Sequence, residues 1–131
     1  MIRITPETVA AILSHARHEL PDEACGYLGG LNGIISRNFP LTNMDHSPEH
    51  FSFSPEEQFA TIRQARKEGL EILANYHSHP QTPARPSQED IRLAYDPDLL
   101  YFIISTKGKE ADIQAFKIKN GMVERIEIKI A

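Results

Sequence analysis

A chain of 131 residues fits one domain and can bury about two-thirds of its unfolded surface, enough for a core without covalent staples. Its 40% hydrophobic and 24% charged residues exclude a disordered, collagen-like or coiled-coil protein. The formal charge of −4 argues against an electrostatic nucleic-acid binder and supplies no polybasic patch for a membrane surface.

In chain order, residues 2–4 read as a short strand. Thr5-Pro6-Glu7 then opens a helix with a hydroxyl cap, a proline at the first helical position and an acid in the first turn. Val9, Ile12, Leu13, Ala16 and Leu20 continue it with helical spacing until Pro21. Residues 24–31 and 34–41 read as two strands turned at Asn32-Gly33. A polar loop spans 43–50, and the alternation of Phe51 and Phe53 with serines suits a short strand. Ser54-Pro55-Glu56-Glu57 predicts a second helix with a Ser54–Glu57 capping box, running to about Glu68 and stopped by Gly69. Residues 70–79 form the next strand, 80–86 a proline-rich loop, 87–94 a short helix and 99–105 a buried strand. Two further strands, 110–118 and 122–130, are separated at Asn120-Gly121 and complete an antiparallel meander. Mixed strands and helices with no repeat or linker predict a single α/β or α+β domain over residues 1–131.

The only cysteine, Cys25, rules out an internal disulfide and points to a reducing compartment. MIRITPETVA has neither the apolar core nor the cleavage site of a signal peptide, and the longest apolar run, LLYFII at 99–104, is too short for a membrane span. A soluble cytoplasmic protein is expected.

The chemistry concentrates in HSHPQTPARPSQED, residues 77–90. On a strand, residues i and i+2 share a face, so His77 and His79 project together and Ser78 turns away. Two such imidazoles can share one zinc ion, and Asp90, brought back by the loop, is the candidate third ligand. Two histidines and one carboxylate make a catalytic ligand set with a position left for water. A hydrolase also needs a carboxylate that takes a proton from water and returns one to the leaving amine. Spacing alone does not select that carboxylate from the other acids. Each piece also has an ordinary structural reading: paired histidines can be packing residues, and Ser87-x-x-Asp90 fits a capping box. Capping and metal binding are compatible, since a cap would fix the turn that carries Asp90.

Taken together, H-S-H-P-x6-S-x2-D from His77 to Asp90 resembles the JAMM (MPN-plus) metalloprotease signature at every defined position. The upstream PDEACGYLGG resembles the segment that carries that family's glutamate, here Glu23. The likeness extends over most of the chain, and its PxE-x-CG pattern is most similar to the bacterial branch, which includes peptidases acting on ubiquitin-like sulfur-carrier proteins. The resemblance implies a cytidine-deaminase-like α/β domain with a mixed, mainly antiparallel sheet flanked by helices. It implies zinc on His77, His79 and Asp90, Glu23 as general base and then acid, and Ser87 hydrogen-bonded to the tetrahedral oxyanion or its water. It also implies hydrolysis of a peptide or isopeptide bond after the C-terminal Gly-Gly of a ubiquitin-like or sulfur-carrier protein supplied by another chain.

The alternative is a non-catalytic MPN-type binding module, but such versions typically lose ligands that this chain keeps. A zinc deaminase on a related fold would need the cysteine pair of P-C-x-x-C, which is absent. Elsewhere, Cys25 reads as a small buried residue, His15 and His18 as a solvated pair on the first helix, and His46 and His50 as loop residues. Gly26, Gly29 and Gly30 match no phosphate-binding loop, and Phe51 and Phe53 read as core packing, with support for an extended substrate tail as the alternative.

Overall fold

In a computed structural model, which describes residues 1–131, the order is β1 (Ile2–Ile4), α1 (Pro6–His18), β2 (Cys25–Leu31), β3 (Ile34–Leu41), α2 (Pro55–Lys67), β4 (Glu71–His79), α3 (Gln88–Arg92), β5 (Leu100–Ser105), β6 (Asp112–Lys119), β7 (Met122–Ile126) and β8 (Ile128–Ile130). All eight strands form one sheet in the order β7-β6-β5-β4-β2-β3-β1-β8. Four neighbouring pairs are antiparallel, while β1–β3, β1–β8 and β4–β5 are parallel. No helix is long and apolar enough to cross a membrane.

The helix starts follow from local chemistry. Thr5 caps α1 and Ser54 caps α2, each through its side-chain oxygen and each followed by proline. At Asn32-Gly33 and Asn120-Gly121 both residues have positive φ, the backbone that two-residue hairpins of the primed type require.

The expected strand over 122–130 divides in two. β7 pairs with β6 and β8 with β1, at opposite ends of the sheet, although Glu127 alone separates them. A flat sheet of eight strands would hold its end strands about 34 Å apart, whereas one linking residue reaches only about 7 Å. The sheet must therefore roll until its two ends are bridged by a single strand that changes partner. Two other expectations also change. Residues 51–53 are not a strand; their rings pack instead against Tyr27 and His77. Only half of the Ser54–Glu57 box forms, because the Glu57 carboxylate accepts from the N–H and hydroxyl of Thr42 at 2.9 Å each.

Side chains alternate across the sheet, so its two faces have separate cores. Ile4, Leu28, Tyr76, Phe102 and Ile104 pack with Ile12 and Ala16 of α1. On the other face, Cys25, Tyr27, Phe39 and Leu41 pack with Ala65 of α2, while Tyr101, Ile103, Phe116 and Ile118 pack with Ile91 and Ala94 at α3. The odd-numbered end of β4, carrying His77 and His79, belongs to this second face.

β2 approaches β3 very closely where a bulge interrupts both of its ladders. A Cβ at Gly30 would lie 1.9 Å from the Ile34 carbonyl oxygen, and backbone cannot rotate away. Gly30→Ala should therefore lower unfolding stability by about 3 kcal/mol or more, the upper end of overpacking costs, read as a shift in the urea midpoint.

Candidate metal centre and active site

β4 lies in the middle of the sheet, antiparallel to β2 and parallel to β5. Parallel neighbours need a crossover, and here the loop 80–86 and α3 provide it. The site forms where that crossover leaves the carboxyl end of β4, a position that open α/β sheets repeatedly use for ligands.

His77 and His79 are 2% and 5% exposed. Their Nε2 atoms are 3.1 Å apart, and each is 3.1 Å from Asp90 Oδ2. His79 Nδ1 meets the Pro83 carbonyl at 2.9 Å; a carbonyl only accepts, so Nδ1 carries the proton and Nε2 keeps its lone pair in the neutral ring. Tetrahedral zinc with bonds of about 2.0–2.1 Å separates its ligand atoms by about 3.3 Å. The triangle His77–His79–Asp90 is thus close to one face of a zinc coordination shell, and these three residues could hold such an ion.

The electrostatics agree with the geometry. Burial pushes the Asp90 carboxyl up, but the hydrogen bonds it accepts from the His77 and His79 rings when these are protonated outweigh it and hold the group well below the usual carboxylate range. Burial pushes His79 down, yet its bonds to Asp90 and Pro83 raise it above the ordinary imidazole value. An ionised carboxylate and a readily protonated ring together favour one positive charge at the centre, which a proton or a cation can supply.

The helix cap and the candidate metal ligand share one oxygen. Asp90 N–H donates to Ser87 Oγ at 3.0 Å, and Ser87 N–H donates to Asp90 Oδ2 at 2.9 Å. The oxygen that closes the box on α3 is the one that meets both imidazoles. His77 is held differently: its Nδ1 is buried without a partner, and its ring stacks on Phe51 with centroids 4.6 Å apart.

Glu23 is 3% exposed, and its Oε1 is buried with no hydrogen-bond partner. Burial, with smaller contributions from Asp90, Glu89 and Glu49, pushes its carboxyl up to about 8, against a partial offset from His79. That coupling to His79 and Asp90 brings Glu23 into the field of the triangle. A cavity of about 360 Å³ borders His77 and Asp90 on the side of Tyr27, Phe51, Phe53 and Tyr101, while Glu23 and His79 lie outside its lining.

The remaining sequence candidates lie elsewhere or are spoken for. Cys25 is fully buried in the α2 core, and burial first, then nearby carboxylates, pushes its thiol up to about 12, so it is an inert packing residue. His15 bonds the Tyr76 hydroxyl at 2.7 Å on the opposite face of the sheet, and His50 pairs with Asp45. Asn43 bonds the Glu23 carbonyl and the Ser78 hydroxyl bonds the adjacent Ala24 N–H, and the sequence singled out neither, whereas Phe51, already noted for packing, stacks on His77. A polar residue between His77 and His79 was the one available signal, and it pointed only at Ser78.

Comparison with known proteins agrees with this architecture. The family model described as prokaryotic homologs of the JAB domain matches residues 5–119. The chain is similar to the CysO-cysteine peptidase of Mycobacterium tuberculosis, at 36% identity over 124 residues, covering 92% of this chain and 84% of that one. It is similar to a probable TtuB-protein conjugate cleaving protease of Thermus thermophilus, at 34% identity over 109 residues, covering 82% and 70%. Among solved structures, protein DSY2949 of Desulfitobacterium hafniense superimposes with a TM-score of 0.93 at 47% identity, covering 100% of this chain and 93% of that one. A JAB1/MPN domain protein from Archaeoglobus fulgidus, at 21% identity, shares the fold with a TM-score of 0.70, covering 99% and 97%.

Proposed function

Since the chain belongs to the prokaryotic JAB (JAMM/MPN) family and is a peptidase of that type, we propose that residues 1–131 act as one zinc-dependent hydrolase domain, in the cytoplasm, on a ubiquitin-like or sulfur-carrier protein. The bond cleaved is the peptide or isopeptide bond after the carrier's C-terminal Gly-Gly. The observation that carries the reading is the triangle of His77 Nε2, His79 Nε2 and Asp90 Oδ2, each 3.1 Å from the next.

His77, His79 and Asp90 would hold the zinc. A bound zinc supplies a Lewis acid for water and carbonyl, and a positive charge that favours the ionised form of Glu23. Glu23 then takes the proton of the attacking water and later gives it to the leaving amine. Its apolar surroundings suit both duties, because they bring its affinity for a proton close to neutral pH. Ser87 has a fixed direction: Oγ already accepts from Asp90 N–H, so its own proton is free for the oxygen on which charge develops. The cavity beside His77, walled by Phe51, Phe53 and Tyr27, offers an extended tail an apolar path to the reacting atoms.

The retention of all five residues leaves nothing to favour a scaffold reading. The test is incubation with carrier proteins extended past Gly-Gly, scored by mass. Cleavage directly after Gly-Gly that stops on chelation is expected; intact substrates across the whole carrier panel would overturn the assignment. Ser87→Ala should lower kcat by roughly 10²–10³-fold, the usual loss for one oxyanion donor. The same change should lower stability by about 1 kcal/mol through the lost cap, so turnover and melting should be measured together.

A further inference from the structure

Glu23 lies in a stretch without regular structure, between α1 and β2. Its place therefore depends on what holds its backbone, and four hydrogen bonds do so. Glu23 N–H donates to the Ser47 carbonyl at 2.8 Å, and the Glu23 carbonyl accepts from Asn43 Nδ2 at 3.1 Å. The next residue, Ala24, donates its N–H to Ser78 Oγ at 2.8 Å and accepts from Ser78 N–H at 3.0 Å.

The Ser78 contact is a modified rung of the β2–β4 ladder. Cys25 pairs with His77, so Ala24 faces Ser78, and an antiparallel rung of this kind normally exchanges two backbone bonds. Here one is ordinary, and in the other the serine hydroxyl stands in for the serine carbonyl. The chain thus joins the sheet at Ala24, one residue after the reactive carboxylate. Ser78 is 1% exposed and sits between the two histidines. The segment that presents both imidazoles therefore also sets where Glu23 begins.

Asn43 closes the other side. It is 9% exposed, and its Nδ2 also reaches the carbonyls of Ser47 and His50 at 3.4 and 3.1 Å, while its Oδ1 accepts from Asp45 N–H at 3.0 Å. One amide thus gathers the 43–50 loop and ties it to the Glu23 backbone.

Resting on the reading of Glu23 as the proton carrier, we propose that Ser78 and Asn43 are positioning residues that jointly hold Glu23 over the reacting atoms without contributing to metal binding. The pair fixes a distance between proton carrier and metal ligands that no strand or helix would otherwise impose.

The test uses the full-length zinc-loaded protein with Ser78→Ala, Ser78→Thr and Asn43→Asp. The last keeps size and the Oδ1 acceptor but removes the amide donors. Zinc content, steady-state cleavage of a Gly-Gly-extended carrier and amide exchange at residues 23–24 and 74–76 are measured. In Ser78→Ala and Asn43→Asp, kcat should fall on the order of 10–100-fold with KM within about twofold, as for a reacting group displaced by about 1 Å. Zinc should stay at wild-type content, and exchange should accelerate at Ala24 or Glu23 while residues 74–76 stay protected. Ser78→Thr should recover most of the rate. Zinc lost in proportion to activity, or full activity despite a deprotected Ala24 amide, would overturn the proposal. If the wild type cleaves no carrier, the assigned reaction fails; the exchange data still decide the clamp, because unchanged protection in both variants would refute it alone.

Discussion

Glu23→Gln should leave zinc at wild-type content and lower kcat by roughly 10²–10⁴-fold, the range that one positioned proton-transfer group supplies. The amide matches the carboxyl in shape, so the pocket survives. It can neither take a proton from water nor hand one to an amine. Zinc content with steady-state kinetics checks this, and near-normal turnover would mean that another acid carries the proton. The same variant has a second signature in the metal-free protein. Folded Glu23 keeps its proton up to about pH 8, whereas the unfolded chain ionises near 4.5. Between those values the unfolded state binds fewer protons, so wild-type stability falls as pH rises and levels off above about 8. Glutamine removes that slope, so the variant should gain stability over the wild type as pH rises through this window. Melting curves of both metal-free proteins at matched pH measure the difference.

Asp90→Ala should weaken zinc binding by more than about a hundredfold, beyond what loss of an outer hydrogen-bond partner typically costs. Two imidazole nitrogens 3.1 Å apart would remain, without the carboxylate that balances a dication. Metal analysis after dialysis against a weak chelator separates the possibilities. If the variant keeps its zinc and loses only about 1 kcal/mol of stability, Asp90 is merely a helix cap. Because Oδ2 serves both purposes, the expected result is loss of the ion together with a looser start to α3.

Much of the fold was legible because its signals are local. Thr5-Pro6 and Ser54-Pro55 announce helices whatever surrounds them, and Asn-Gly at 32–33 and 120–121 supplies the positive φ that tight hairpins need. The change of partner at Glu127 was not legible, since alternation along 122–130 says which way side chains point and nothing about which strand lies alongside. The two phenylalanines at 51 and 53 alternate like a strand, but their rings are used on Tyr27 and His77. The half-formed box at Ser54 has a similar cause: Thr42, distant in sequence, competes for the Glu57 carboxylate.

The site divides in the same way. His77 and His79 converge because strand geometry makes i and i+2 neighbours, and Asp90 returns because a short crossover has few places to go. Glu23 was accessible only through family resemblance, since it enters the field of the triangle from 54 residues before His77 (77 − 23) by a route no spacing encodes. Asn43 and Ser78 escaped for a related reason: side-chain-to-backbone bonds leave no periodic trace.

The double duty of Asp90 Oδ2 has a thermodynamic consequence. A helix of five residues is far below the length that persists by itself in water, so α3 borrows its order from its surroundings. Whatever occupies the triangle becomes part of that support, and ion occupancy and the folding of the 80–93 crossover are linked functions. By reciprocity, each kilocalorie by which the ion steadies the crossover is a kilocalorie by which a preformed crossover tightens the ion. On the proposed zinc reading, affinity for the metal would thus be set partly by proline content and helix propensity in a loop that, Asp90 aside, offers no candidate ligand.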